Sequence, residues 1–301
     1  MSELQTTHRT SVTEDMIDHL GHMNVRYYGV AARAASEAVV AGLEGSDELD
    51  VRAVDLYTRH FREQLLGADL EVRSLVLASG GGSLRLYHEL RNTATEELAA
   101  SFVHRLEARR GGDRAEAWPA GAIATADGEI PEHGRPRSIS LDTRPLDAAP
   151  TFDAVRRDEL LAMRLPRTIG PEECLADGSY DPSGAPFLLW GGEPLEGATG
   201  PTLHPGPDGQ LVGWATMENR MVIHRLPRLG DRIQSFGAVV EIRDKTTHRV
   251  MWGFDVERGD LLVAFEVVDV ALDTVSRRAV PIPDELRGHA EARFRPDLLP
   301  R

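Results

Sequence analysis

The stretch Asp18-His19-Leu20-Gly21-His22-Met23-Asn24 gathers one acid, two imidazoles, a glycine and an amide within seven positions. A carboxylate such as Asp18 can activate water or attack a carbonyl carbon directly. An imidazole four places later, His22, can orient water or hydrogen-bond the substrate. Gly21 lets the backbone come close to a ligand. Asn24 can cap a helix that begins behind it or hold His22, and capping is among the commonest tasks of asparagine. The competing structural reading is a helix cap with solvated polar neighbours, in which Asp18 is a loop acid and His19 a surface residue.

The elements around this stretch give it a setting. A β-like segment, HRTSVT, precedes it. Behind it, in VRYYGVAARAASEAVVAGLEG, Tyr28, Ala31, Ala35, Val39 and Leu43 recur at helical spacing and Gly45 supplies a stop. Ala31, Ala35 and Ala38 form a small face that a sheet could approach closely. The start of this helix, read over 25–43, offers backbone N–H groups and a favourable dipole for a developing oxyanion near Asp18.

Four strand candidates follow: VRAVDLYTRHF, DLEVRSLVLA, SLRLYHELRN and ELAASFVHRLEA. In the third, Leu84, Leu86, His88 and Leu90 alternate with Arg85, Tyr87, Glu89 and Arg91, the period of a half-buried strand. The stretches 79–82 and 92–95 make tight connections, so the neighbours are antiparallel. The GGG at 80–82 is a hairpin turn and not a phosphate loop, since it lacks the Lys followed by Ser/Thr of a nucleotide motif and does not open a helix.

Residues 109–150 are rich in Gly, Pro, Ala and charge without a sustained period. They predict a linker, with a short helix near Ala120, and a connection this long argues for two domains. Behind it the grammar repeats. LAMRLPRTI reads as a first strand, LADGSYD stands where DHLGHMN stood, and Phe265 falls near the place of Phe102. The expected organisation is a first unit over 1–110, a linker over 111–155 and a second unit over 156–301. The second copy holds Leu175 in the place of Asp18 and lacks histidine there, so it reads as catalytically silent. Where the first copy has its helix, the second has Pro186 and Pro194, so any helix there is short or starts at a proline. Trp190, Trp214 and Trp252 read as core or acyl-facing bulk.

The residues Asp18, Gly21, His22, Asn24 and Tyr28 in DHLGHMNVRYY, followed by an antiparallel sheet, resemble the hotdog-fold acyl thioesterases. With two such units the chain resembles the double-hotdog type, including 4-hydroxybenzoyl-CoA thioesterase-like and plant acyl-carrier-protein thioesterase families. The resemblance covers residues 8–108 well and 160–272 loosely. It implies an α+β fold of two tandem hotdog units, each a curved antiparallel sheet wrapped around a central helix. It implies hydrolysis of an acyl-CoA or acyl-carrier-protein thioester to free acid and thiol. Asp18 would be base or nucleophile, with His22 and Asn24 matching the family's His and Asn. The plant enzymes also carry an acid in an Arg-Arg-Glu context on the strand after the helix, and HFREQ puts Glu63 near that place. They have an asparagine two residues after the aspartate, where this chain has Leu20, so their mechanism does not transfer whole. Gly21, Met23, Tyr28, Arg59 and Arg62 are expected at the substrate, the arginines, with Arg225, at coenzyme A phosphates. His60, His88 and His104 read as structural or surface residues. His224 is a candidate to face the first copy's site.

Composition narrows the partners. A net charge of −14, with Lys245 the only lysine, argues against nucleic acid. No run of apolar residues approaches a membrane span. Cys174 is the only cysteine and no metal spacing or dinucleotide fingerprint appears, so no cofactor or metal is expected. The reading is of a cytoplasmic protein, a monomer with an internal pseudo-dimer or a homo-oligomer of it. Rival readings are a non-catalytic acyl-CoA-binding hotdog protein, a hotdog hydratase or dehydratase, and an unrelated α+β protein.

Overall fold

The computed structural model describes residues 3–18, 21–43, 49–80, 82–110, 113–114, 118, 128–196, 203–206 and 209–300. The chain divides into two compact units, Met1–Pro136 and Arg137–Arg301. The division falls inside the stretch expected to be a linker, and the helix expected near Ala120 lies outside the described residues. No helix among the described residues is long and apolar enough to cross a membrane.

The first unit runs β1 (Gln5–Ser11), α1 (Val25–Ala41), β2 (Asp50–His60), β3 (Asp69–Gly80), β4 (Ser83–Asn92), β5 (Leu98–Arg110) and the two-residue β6 (Asp113–Arg114). The strands pair antiparallel in the order β1-β3-β4-β5-β2. Helix α1 buries Tyr28, Ala31, Ala32, Ala35, Ser36 and Val39 along one side. Its small residues let it lie against Leu70, Val72, Leu90, Ala100 and Phe102 of the sheet. The small face differs from expectation, because Ala32 is buried and Ala38 is exposed. The helix ends at Ala41 with Gly42 as its cap, earlier than the stop expected at Gly45, which lies outside the described residues.

The alternation in β4 also needs correction. Tyr87 and Glu89, on the face away from α1, are as buried as Leu84, Leu86 and Leu90. Residues 128–136 cover that face. Gly134 sits so close to the Tyr87 ring that a Cβ there would overlap its hydroxyl, so only glycine fits. Glu89 accepts from Tyr87 Oη, Arg91 Nε and His133 Nε2. Burial alone would push this carboxyl up, but those donors outweigh it and hold it below the usual range.

The second unit runs α2 (Phe152–Arg157), β7 (Arg167–Thr168), β8 (Leu203–Pro205), β9 (Leu211–Ile223), β10 (Arg232–Ile242), β11 (Thr246–Asp255), β12 (Leu261–Asp273) and α3 (Asp284–Glu291). Its sheet order, β7-β10-β11-β12-β9, repeats that of the first unit strand for strand. One constant shift in numbering relates Phe102 to Phe265 and the pair Leu70–Asn92 to Ile233–Asp255. The bulge between Val76 and Ala78 recurs between Val239 and Glu241 under the same shift. The first strand expected from LAMRLPRTI is only two residues long, because Pro166 offers no N–H for a longer ladder. Leu146, Ala149, Phe152 and Val155 cover one face of this sheet, against Phe236, Val250, Trp252 and Phe254. Leu189 meets the other face at Gly253. The counterpart of α1 is a short 3-10 helix, Pro182–Phe187, which starts at a proline.

One feature of the first unit's core escaped the sequence. Ser36 Oγ lies 2.9 Å from both His88 Nε2 and His104 Nδ1. His88 Nδ1 reaches Ser74 Oγ at 2.7 Å, which in turn meets Thr7 Oγ1 at 2.5 Å. These histidines are wholly enclosed between helix and sheet, and burial pushes His104 down to about 4 and His88 well below its ordinary value. Each is therefore neutral at pH 7; for His104 the contribution to stability is present above the ordinary histidine value of about 6.5 and lost as pH falls towards about 4, and His88 acts in the same direction. For His104 alone the loss by pH 5 is about 2 kcal/mol. Thermal melting is expected to fall between pH 7 and pH 5, and the fall to be smaller in His104→Asn, which keeps a polar group at the δ position but cannot ionise.

Candidate functional site

Residues 17–18 and 21–24 pair closely ahead of α1, held almost wholly by backbone. Asp18 N donates to His22 O at 2.9 Å, Gly21 N donates to Asp18 O at 3.0 Å, and Ile17 bridges Met23. Gly21 has φ +85°, a conformation that glycine adopts without steric cost. Two further bonds fix this pairing in place: Met23 N to Gln64 O at 2.8 Å and Asn24 N to Met16 O at 2.9 Å. His19 and Leu20 lie outside the described residues.

This arrangement brings three of the expected residues together. His22 Nδ1 stands 3.4 Å from Asp18 Oδ2, and His22 Nε2 stands 3.4 Å from Glu63 Oε1. The imidazole thus lies between two carboxylates from different elements. Asp18 and His22 are mostly enclosed, while Glu63 is 43% exposed in its side chain. Glu63 comes not from β2 itself but from the segment after it, which Phe61 N and Arg62 N tie to Ala99 O.

Other expected residues are occupied elsewhere. The Asn24 side chain accepts from Arg26 N at 2.9 Å and is the N-cap of α1, so it does not reach His22 as a catalytic partner and that N–H is not open to an oxyanion. Met23 is 2% exposed and belongs to the core, not to a substrate surface. Tyr28 donates from Oη to Arg62 O at 3.0 Å, and burial, with the nearby Asp18 charge, pushes its phenol up so that it remains a donor. Arg59 donates to Arg135 O and lies 4.6 Å over the Phe61 ring. Arg62 is 66% exposed in its side chain and stands 3.6 Å from Glu97. His60 packs edge-on to Tyr28 and burial pushes it down to about 4. His224 is exposed. Arg225 is bound to Asp231 and Asp255, which leaves it committed within the second unit.

The second unit repeats the pairing bond for bond. Leu175 N donates to Ser179 O, Gly178 N to Leu175 O, Tyr180 N to Pro227 O and Asp181 N to Glu173 O, and Cys174 bridges Tyr180. Gly178 has φ +77°. The positions of Asp18, His22 and Glu63 hold Leu175, Ser179 and Leu226. The backbone frame is kept and all three ionisable groups are gone. Among the described residues no cluster of three or more His, Cys, Asp or Glu is placed to hold a metal ion.

No family model matches the chain, and no curated protein does. Solved structures do. An acyl-ACP thioesterase from Bacteroides thetaiotaomicron VPI-5482 superposes with a TM-score of 0.62 at 10% identity, over 88% of this chain and 97% of that one. A 12:0-ACP thioesterase from Umbellularia californica gives 0.62 at 10% identity, over 89% and 94%. A tesB protein from Mycobacterium avium subs paratuberculosis gives 0.50 at 12% identity, over 89% and 96%. The chain therefore has the tandem hotdog fold of acyl thioesterases, an α+β architecture.

The N-cap carries a direct test. Asn24→Ala should lower stability by about 1 kcal/mol, read by urea unfolding, and Asn24→Asp should retain it. An unchanged midpoint in Asn24→Ala would mean that the cap bond contributes nothing.

Proposed function

We propose that the protein is an acyl thioesterase that hydrolyses an acyl-CoA or acyl-carrier-protein thioester to free acid and thiol. The observation that carries this reading is the convergence of Asp18 and Glu63 on the two ring nitrogens of His22. The names of the similar folds, two of them ACP thioesterases, support it.

A thioester needs a nucleophile at its carbonyl carbon, a proton acceptor for attacking water and stabilisation of the oxyanion. Asp18 removes a proton from water as the new C–O bond forms and the carbonyl π pair moves to oxygen. Alternatively it attacks directly and forms an anhydride that water cleaves. When the oxyanion collapses, the C–S bond breaks and the thiolate leaves with the electron pair. A thiol of pKa about 8.5 is a good leaving group, so His22 need only supply a hydrogen bond or a late proton. Glu63 holds the other side of the imidazole and fixes its orientation, as a carboxylate does for a catalytic histidine. The dipole at the start of α1 is the proposed oxyanion side, acting as a field because Asn24 takes the Arg26 and Tyr27 N–H groups, and Gly21 is the point of close approach for the thioester. The second unit, without the three groups, shapes the protein and carries no turnover.

Thiol release from short, long, branched and aromatic acyl-CoAs tests the proposal. Asp18→Asn should lose at least about 100-fold in kcat, the loss typical of a general base. Glu63→Gln should lose less, since it keeps an acceptor for His22. Binding of acyl-CoA by wild type without any thiol release would favour the non-catalytic binder instead.

A further inference from the structure

The enclosed polar chain of the first unit has a direction, and its last atom is left over. Thr7 Oγ1 donates to Val72 O at 3.3 Å, so it accepts from Ser74 Oγ. With that hydrogen spent, Ser74 accepts from His88 Nδ1–H. A neutral imidazole carries one hydrogen, so His88 Nε2 is a lone pair and takes the Ser36 hydroxyl hydrogen. Ser36 then accepts from His104 Nδ1–H. Each bond fixes the next, and the chain ends with His104 Nε2 as an acceptor. No hydrogen bond among the described residues uses that nitrogen, although His104 is only 3% exposed. An acceptor enclosed without a donor carries a desolvation cost, which a donor brought by a ligand would remove.

His104 lies on the side of β5 that faces α1, with Phe102, whose ring it meets edge-on, and Ala100. Across the β2–β5 ladder the same side carries Leu56 opposite His104, Thr58 opposite Phe102 and His60 opposite Ala100. These rungs form a lane. One end is the candidate site: Tyr28 packs edge-on to His60, Tyr28 Oη donates to Arg62 O, and Glu63 follows in the chain. The other end is His104, four residues along the strand from Ala100, or about 14 Å. Helix α1 covers the lane only in part. The apolar core beneath its first turns draws on β3, β4 and β5 and, among the described residues, takes nothing from β2. Leu56 and His60 stay half-buried. An acyl group whose thioester lies at Asp18 and His22 can extend along these rungs.

We propose that the substrate is an acyl thioester whose chain ends in a hydroxyl, and that His104 Nε2 accepts the hydrogen bond of that hydroxyl at the far end of the lane. The inference rests on the thioesterase reading of the site and adds the class of acyl group. The direction of the polar chain selects the end group. A lone pair needs a donor, and a hydroxyl supplies one. A terminal methyl leaves the nitrogen unpaired, and a ketone or a carboxylate brings only further lone pairs. Burial holds the His104 ring neutral at pH 7, so the acceptor is present there. Leu56 and Phe102 offer apolar surface to the methylenes between. A site built to bond a hydroxyl discriminates against the analogue that lacks it, because the buried partner then stays unpaired. His104 is thus a specificity residue, remote from the reacting atoms.

Calorimetric titration of the full chain with two stable thioethers, S-(ω-hydroxydodecyl)-coenzyme A and S-dodecyl-coenzyme A, tests this without turnover. Wild type should bind the hydroxylated compound about tenfold or more tightly than its alkyl twin, the effect of pairing an otherwise unsatisfied buried group. His104→Asn keeps a donor for Ser36 but lacks the ε nitrogen, so the two affinities should converge. His104→Gln places an acceptor at the ε position and should retain the preference. If the variants melt early, nitrogen NMR of wild type serves. His88 and His104 should both be Nδ1–H tautomers, and the His104 Nε2 resonance should move with the hydroxylated thioether and not with the alkyl one. Equal affinities in wild type, a preference that survives His104→Asn, binding of neither compound, or an Nε2–H tautomer of His104 overturns the proposal. Absence of thiol release from acyl-CoAs, by contrast, bears only on the hydrolase reading.

Discussion

The backbone hydrogen bond from Met23 N to Gln64 O is the constraint on which the site depends. It staples the paired stretch before α1 to the segment that leaves β2, and those two pieces carry His22 and Glu63. Without it, an imidazole and a carboxylate some forty residues apart would have no fixed relation. Because the bond is made by main chain, it tolerates change in every side chain around it. Its twin, from Tyr180 N to Pro227 O, holds the same geometry in a place that retains none of the three ionisable groups. Frame and chemistry are therefore separable in this protein, and the second unit is the frame alone.

That separability explains how the copies diverged. The sheet order and two of its bulges are common to both units, and a bulge is a local feature that packing preserves. The helix is not common. Alanines at 31, 32 and 35 let α1 lie close on its sheet, while prolines reduce its counterpart to a 3-10 turn. Charge has moved in the opposite direction. The second unit gathers Arg225, Arg258, Asp231 and Asp255 into a mutually satisfied cluster, and the first unit leaves its corresponding arginine at the surface.

The stretch between the units is not a bare tether. Residues 128–136 cover Tyr87 and Glu89 of the first sheet, and Leu146 to Val155 cover the apolar face of the second. Within the second unit Glu218 receives the N–H groups of Arg137, Ser138 and Ile139, and Arg220 donates to Ser140 O and Thr143 Oγ1. Buried charges here do what helices and strands do elsewhere: they satisfy the main chain of an irregular segment.

Much of this was legible in the sequence. Periodicity placed α1 and the four long strands of the first unit, because a helix and a half-covered strand impose their periods locally. The spacing of Asp18, Gly21, His22 and Asn24 picked out the pairing that precedes α1, and LADGSYD picked out its counterpart, with Leu175 in the place of Asp18. Some things depended on contacts far apart in the chain. Periodicity cannot show that irregular residues bury Tyr87 and Glu89, since the cover is supplied from elsewhere. His88 and His104 looked like scattered polar residues until Ser36 and Ser74 stood between them. Asn24 had two possible tasks and the helix geometry selected the cap. Residue types are a property of the sequence, but whether a charge is neutralised depends on which neighbours the sheet brings within reach. Only the tertiary structure could therefore distinguish Arg62 from Arg225.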